Sequence, residues 1–169
     1  MPSDDIVRIP LRARDGSIRA YAIVDAADAD WANQWRWCLN ASGYAKRNEY
    51  LGGGGKFARY RSFLLHREIL NITGWVGIEG DHIDRDTLNN RRSNLRVVTH
   101  AQNGQNRRWR LPESVSRFRG VSWHHVDRKW TATVKLNGKT NFVGYFSTEE
   151  DAGAAALEAR RRLLPFATD

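Results

Sequence analysis

Disulfides, zinc-binding cysteine pairs and membrane-spanning runs are all absent from this chain. Its 169 residues include a single cysteine, Cys38. One cysteine closes no internal disulfide and completes no Cys-x-x-Cys zinc pair, which excludes a secreted disulfide scaffold and a zinc ribbon. No apolar run approaches the roughly 18–20 residues that span a bilayer. The opening Met1-Pro2-Ser3-Asp4-Asp5 is acidic where a signal peptide is basic. A soluble, cytoplasmic protein with no membrane partner is expected. The run Gly52 to Gly55 lacks the helix start and the Lys-Ser/Thr that complete a phosphate-binding loop, so it reads as a hairpin tip and not as a nucleotide site.

Acidic residues are also in the minority. There are 19 Asp and Glu against 27 Lys and Arg, which leaves a net charge of +8 and a pI near 10.1. The surplus is local: residues 85–110 hold Arg85, Arg91, Arg92, Arg96, Arg107, Arg108 and Arg110 against the single acid Asp86. Arginine forks onto phosphate oxygens, and clustered cations gain by releasing a polyanion's counterions. Nucleic acid is therefore the expected partner, with a solvated basic surface as the plain alternative. Apolar residues make up 41% of the chain and include seven tryptophans, enough for a core despite a mean hydropathy of −0.63. The length allows one ordinary domain or two small ones and excludes a large multidomain enzyme.

Alternation of apolar and polar residues over 6–24, about Asp15-Gly16, predicts a β-hairpin. Asp28-Ala29-Asp30 can cap a short helix carrying Trp31 and Trp35, with the tryptophans expected in the core. Extended segments are predicted over 35–39 and 43–47, and a helix over 63–70 that ends near Asn71.

The chemistry concentrates in 79–103. Asp81-His82 sit in a short extended run, a polar loop with Asn89-Asn90 follows, and 95–98 alternate back. Thr99-x-x-Gln102 is a capping box that starts a helix, on one face of which Asn103 and Asn106 are expected. Hydrolysing a phosphodiester needs a water nucleophile, a base to deprotonate it and a cation to stabilise the extra charge on phosphorus. Asp81, His82 and Asn103 can supply these. A carboxylate and an amide carbonyl are hard oxygen donors suited to Mg²⁺, or to Mn²⁺ as a similar ion, with positions left for water and phosphate. A histidine with an ordinary pKa near 6.5 can accept a proton near neutral pH.

On these residues the chain resembles the HNH endonucleases with a ββα-metal fold, of the Asn-variant phage and intron-homing type. The motif of that family opens with Asp-His, carries a central Asn in Asn-Leu-Arg and closes with Asn or His on the helix, as do Asp81-His82, Asn94-Leu95-Arg96 and Asn103. The resemblance implies that Asp81 and Asn103 hold a divalent metal, that His82 is the general base, and that Asn94 braces the loop between the strands. Asn rather than His at the last position implies a hard ion and not zinc. Asp84, His100 and Asn106 either touch metal or phosphate or belong to a polar loop and an exposed helix face. His66, in a Leu-His-Arg sequence that such nucleases share, either approaches the site or packs. Arg91, Arg92, Arg96, Arg107 and Arg108 are the expected phosphate contacts.

A second module follows. Strands are predicted over 116–123, 129–136 and 140–146, with Asn137-Gly138 as a two-residue turn, then an alanine-rich helix to about Leu164 capped by Ser147 or Thr148. Alternation turns Trp130, Ala132 and Val134 toward the helix, and Thr131, Thr133 and Lys135 outward, together with Arg119, Thr140 and Phe142. A sheet face with Arg, Lys and an aromatic can lie in the DNA major groove. Through Arg119-Gly120-Val121, Lys129-Trp130, Gly144-Tyr145-Phe146 and the Glu-Glu-Asp-Ala helix start, the segment resembles the APETALA/ethylene-response-factor DNA-binding domain. Ser122, Thr133 and Thr140 depart from the charged base-contacting residues of that family. Arg119, His124, Lys135 and Phe142 are the expected DNA contacts.

The sequence thus reads as an α+β protein. A nuclease domain over 1–108 holds a ββα-metal core within a β-rich frame, 109–115 form a linker, and 116–169 form a three-stranded antiparallel sheet packed on one helix. The expected activity is metal-dependent, sequence-directed cleavage of double-stranded DNA by a nicking or homing-type enzyme, in the host cytoplasm if phage-encoded, with no obligate protein partner. The alternative is a sequence-specific DNA-binding protein with an inactive nuclease domain.

Overall fold

The computed structural model describes residues 5–106 and 116–167. The protein is mixed α/β with small antiparallel sheets, and it divides into two compact units, Met1–His100 and Ala101–Asp169. The first begins with a hairpin of β1 (Ile6–Arg12) and β2 (Ile18–Asp25), followed by α1 (Ala26–Ala32), β3 (Cys38–Leu39), β4 (Ala45–Gly52), β5 (Arg59–Leu64) and α2 (Leu65–Ile69). A second hairpin, β6 (Ile78–His82) with β7 (Leu95–Thr99), leads directly into α3 (His100–Gln105). The β1–β2 turn relies on Gly16 at φ 91°, a left-handed conformation open to glycine.

The core of this unit is built from the inward faces of β1 and β2. Ile9, Leu11, Ala22 and Val24 pack with Ala29 and Ala32 of α1, Trp37, Leu65, Ile69 and Leu95. Of the tryptophans expected inside, Trp37 is buried, Trp31 packs against the cluster, and Trp35 is 44% exposed and lies beyond the end of α1. The helix also starts earlier than predicted. Asp25 occupies its N-cap position without a side-chain cap bond, because its carboxylate is taken by Arg91 and by the backbone N–H of Arg92. Asp28, expected as a cap, is buried inside the helix and paired with Arg92. The stretch 35–39 is extended as a named strand only at β3, and 63–64 close β5 before α2 begins.

The second unit carries β8 (Val121–His124), β9 (Lys129–Leu136) and β10 (Lys139–Phe146) in the order β10-β9-β8, with α4 (Glu149–Leu163) packed on one face. The first of these strands starts at Val121 rather than at Ser116, whose hydroxyl instead donates to Glu149. Thr148 caps α4 by accepting from the Asp151 N–H at 3.1 Å. Ala132 and Val134 are fully buried against Ala152, Ala156 and Ala159, and Trp130 packs beside them. Gly153 lets the helix approach Phe118, since a Cβ there would stand 2.7 Å from the ring. The division between units falls after His100, the first residue of α3. Within the second unit the Phe166 N–H donates to Gln105, which ties α3 to the chain's end. The linker predicted over 109–115 lies outside the described residues.

Candidate active site

Asp81 and His82 take the last two positions of β6, 6% and 5% exposed. Across the hairpin Asp81 faces Arg96 and His82 faces Leu95. Arg96 donates to Oδ2 of Asp81 from Nε at 2.8 Å and from Nη2 at 2.6 Å. A carboxylate taken from water needs a charged or hydrogen-bonding partner, and the register of the hairpin supplies one.

Asn94 immediately precedes β7 and is largely buried. Its amide nitrogen donates to Asp84 Oδ1 at 2.9 Å and to the Asn89 carbonyl at 2.8 Å, while its Oδ1 accepts from the Asp84 N–H at 3.0 Å. Its own carbonyl accepts from the Ile83 N–H. One side chain therefore closes both ends of the 83–93 loop. Asp84 is held there too by Asn89 Nδ2 at 2.7 Å. Burial alone would raise its carboxyl pKa, but hydrogen bonds from Asn89, the Asp86 backbone and Asn94 lower it below the ordinary value.

Around His82 the first unit assembles two other rings. His66 of α2 meets it at 4.9 Å between centroids, edge to face, and Tyr44 lies 5.2 Å from His66 and 5.8 Å from His82. His66 packs over Gly80, where a Cβ would stand 2.6 Å from its Cδ2. Glycine at that position of β6 is thus what lets the two imidazoles meet. His66 is 4% exposed, and burial, His82 and Arg67 push its pKa down from 6.5 to about 3. Burial also pushes His82 down, against the opposing pull of Asn90, Asp84, Asp81 and Asp86. Both rings are neutral at pH 7. Asn90, 1% exposed, donates from Nδ2 to the Leu88 carbonyl at 2.9 Å, which turns its Oδ1 to His82 Nε2 at 3.5 Å. That contact is long, and an acceptor placed there favours a hydrogen on Nε2, with Nδ1 as the basic nitrogen.

Three of the arginines expected at phosphate each pair with a carboxylate. Arg91 donates to Asp25 at 3.0 Å, Arg92 forks onto Asp28 at 2.9 and 2.7 Å, and Arg96 holds Asp81. Each thereby braces a carboxylate of its own unit, Arg92 from the surface with its side chain 58% exposed. Arg107 and Arg108 lie outside the described residues. His100 sits 2.7 Å from Glu79. Asn103 is half-buried on α3, within the second unit. Asn106 is buried just past the end of that helix, its N–H donating to the Asn103 carbonyl at 3.1 Å.

Comparison with known proteins places this geometry. A family model described as HNH endonuclease matches residues 76–105, the span of β6, the loop, β7 and α3. An uncharacterized HNH endonuclease of Acanthamoeba polyphaga mimivirus is 32% identical over 155 residues, covering 88% of this chain and 72% of the relative. The chain belongs to the HNH endonuclease family. No solved structure matches it.

Membership supports a nuclease, and HNH nucleases usually use a divalent metal. Among the described residues no group of three or more His, Cys, Asp and Glu side chains is arranged to hold one. The oxygen donors expected from the sequence fit a hard ion chemically, since one is a buried carboxylate and the other an amide carbonyl that such a grouping does not include. Tyr44 and Asn90 are the residues of this site that sequence reasoning misses. Neither stands inside the Asp-His and Asn-Leu-Arg pattern, although Asn90 lies in the Asn-Asn pair that local pattern assigns only to a loop.

In the second unit Lys135 and Phe142 are exposed on the sheet face away from α4, paired with Thr140 and Thr133. His124 packs on Tyr145 at 5.4 Å, and Tyr145 on Phe142 at 5.0 Å. Tyr145 thus joins the outward face, shifted there by the irregular register between Phe142 and Gly144. Arg119 precedes β8, half-buried, with its carbonyl accepting from Arg160 at 2.7 Å. Among the described residues no helix is long and apolar enough to cross a membrane.

Proposed function

We propose that the protein is a metal-dependent endonuclease that hydrolyses phosphodiester bonds of double-stranded DNA, in the manner of a nicking or homing-type enzyme. The observation that carries this reading is His82: a neutral, buried imidazole whose Nε2 faces Asn90, beside the carboxylate of Asp81, within the span matched by the HNH model. In this role His82 takes a proton from the attacking water at Nδ1. Asn94 and the loop it closes keep β6 and β7 in register, and Tyr44 and His66 exclude water from one side of the imidazole. Asp81 and Asn103 would hold the divalent ion, Mg²⁺ or Mn²⁺, which when bound stabilises charge on the scissile phosphate and the leaving oxygen. Arg96 orients the Asp81 carboxylate.

The second unit reads as the DNA-recognition module that its family resemblance implies, with β9 and β10 presenting Lys135, Phe142 and Tyr145 beside His124 of β8. Such a face suits the major groove, where cations meet phosphate or guanine edges and rings meet thymine methyls. One catalytic centre per chain favours a nick over a double-strand break.

Supercoiled plasmid incubated with Mg²⁺, with Mn²⁺ and with EDTA tests the reading. Nicking that requires the metal and falls by about 10²–10⁴-fold in His82→Ala is the expected result. Undiminished cutting in EDTA, or in His82→Ala, would sink the mechanism. Tight DNA binding with no cleavage under any metal would favour a DNA-binding protein whose nuclease is inactive.

A further inference from the structure

The β4–β5 hairpin extends beyond the core that roots it. Its base is fixed: Arg47 forks onto Glu68 of α2 at 2.8 and 2.6 Å, and its guanidinium lies between the Trp35 and Phe63 rings, 4.0 and 4.2 Å from their centroids. Beyond that anchor, from Asn48 to Ser62, the residues of both strands are exposed apart from a half-buried Gly52. A ribbon with no core beneath it is held by its cross-strand pairs, here Tyr50 with Tyr60 at 5.5 Å and Ser62 with Asn48 at 2.8 Å. These lie on one face. The register places Arg59 and Arg61 on the other, continuing from Phe63, with Glu49 opposite Arg61. Lys56 and Phe57 stand at the tip, the ring 72% exposed.

The contrast with the motif arginines is what makes this arm informative. Arg91, Arg92 and Arg96 each have a carboxylate partner, whereas none of Lys56, Arg59 and Arg61 forms an ion pair among the described residues. Glu49 is the only acid on the arm. At about 3.3 Å per residue the free part reaches roughly 15 Å, and the major groove, about 12 Å wide and 8.5 Å deep, admits a two-stranded ribbon.

We infer that the β4–β5 hairpin is a DNA-binding arm that enters the major groove of duplex DNA with its Arg59 and Arg61 face toward the bases and Lys56 at the tip. This rests on the reading of the protein as a DNA nuclease and adds a contact surface beside its catalytic unit. Because Glu68 and His66 share α2, the anchor that orients the arm belongs to the same short helix as the ring packed on His82.

Duplex binding of the full chain, followed by fluorescence anisotropy across a salt series, tests the inference. Arg59→Gln/Arg61→Gln should weaken binding about tenfold or more and reduce the log–log salt slope by about 2, near 0.9 for each cation that no longer displaces a counterion from the duplex. Glu49→Gln should tighten binding at low salt, a gain that misfolding cannot mimic. Dimethyl sulfate should find guanine N7 positions protected by wild type and uncovered in the double variant. If wild type binds and nicks while both variants bind as it does, the arm is not a DNA contact and the nuclease reading stands. Protection confined to the minor groove, or equal loss of single-strand and duplex binding, also overturns the inference. A wild-type chain that neither binds nor nicks duplex DNA with metal overturns the nuclease reading, and the arm's assignment with it.

Discussion

Replacing Asn94 by alanine removes the brace of the 83–93 loop, and the structure allows the cost to be worked out. Three side-chain hydrogen bonds vanish: to Asp84 Oδ1, to the Asn89 carbonyl and from the Asp84 N–H. A neutral bond contributes about 0.5–1.5 kcal/mol and one to a charged group about 1.5–3. One charged and two neutral bonds sum to about 2.5–6 kcal/mol, and the site is largely enclosed, so alanine leaves the Asn89 carbonyl and the Asp84 N–H without this partner. Asn94→Asp should fare little better, because it keeps the acceptor but loses both donors and sets a carboxylate against that of Asp84. Urea denaturation reads the stability, and plasmid nicking well below the melting range reads the chemistry. Nicking should fall with DNA affinity unchanged, because Asn94 acts through the β6–β7 geometry. A loss of under about 1 kcal/mol in Asn94→Ala would refute the brace, as even one buried hydrogen bond accounts for that much.

Two further outcomes follow from buried groups. His66, held near 3 when folded, takes up a proton near 6.5 when unfolded, so the unfolded state binds more protons between these values and stability falls as pH falls. The slope approaches about 1.4 kcal/mol per unit well below 6.5. Urea midpoints for wild type and His66→Leu between pH 6.5 and 5, above the carboxylate range, should show a shallower decline in the variant; parallel declines would refute the assignment. In Gly153→Ala the gain in helix propensity, about 1 kcal/mol, opposes a Cβ 2.7 Å from the Phe118 ring. Overpacking costs about 1–3 kcal/mol, so the melting temperature should drop, and a rise would show that Phe118 moves aside freely.

What was legible in the sequence had a short-range cause. Alternation about Asp15-Gly16, the Asn137-Gly138 turn, the Asp81-His82 strand and the Thr148 cap all appear where local pattern put them, because period and turn chemistry act over a few residues. α1 starts earlier than local pattern predicts for a long-range reason: Asp25 and Asp28 serve Arg91 and Arg92, more than sixty residues away, instead of capping their own helix. Tyr44 and His66 come to His82 through the β4–β5–α2 connection, which no spacing within the motif announces. Trp35 reads as core because it is a tryptophan. Its ring instead covers the Arg47 guanidinium at the surface.

Charge shows the same limit. By count, the arginines of 85–110 form one basic clamp. In the fold, Arg91, Arg92 and Arg96 close onto Asp25, Asp28 and Asp81, pairs 66, 64 and 15 residues apart. An arginine already forked onto a carboxylate gains less from a phosphate than one in water does, because it must give up a formed charge-assisted bond to make another. Net charge therefore overstates what those positions offer a polyanion. It understates residues such as Lys56, Arg59, Arg61 and Lys135, which are diluted along the chain but lie exposed on strands or at a hairpin tip with no carboxylate partner among the described residues. Arg91, Arg92 and Arg96, inside the motif, hold Asp25, Asp28 and Asp81, and under the proposed function the attraction of DNA rests more on cations elsewhere.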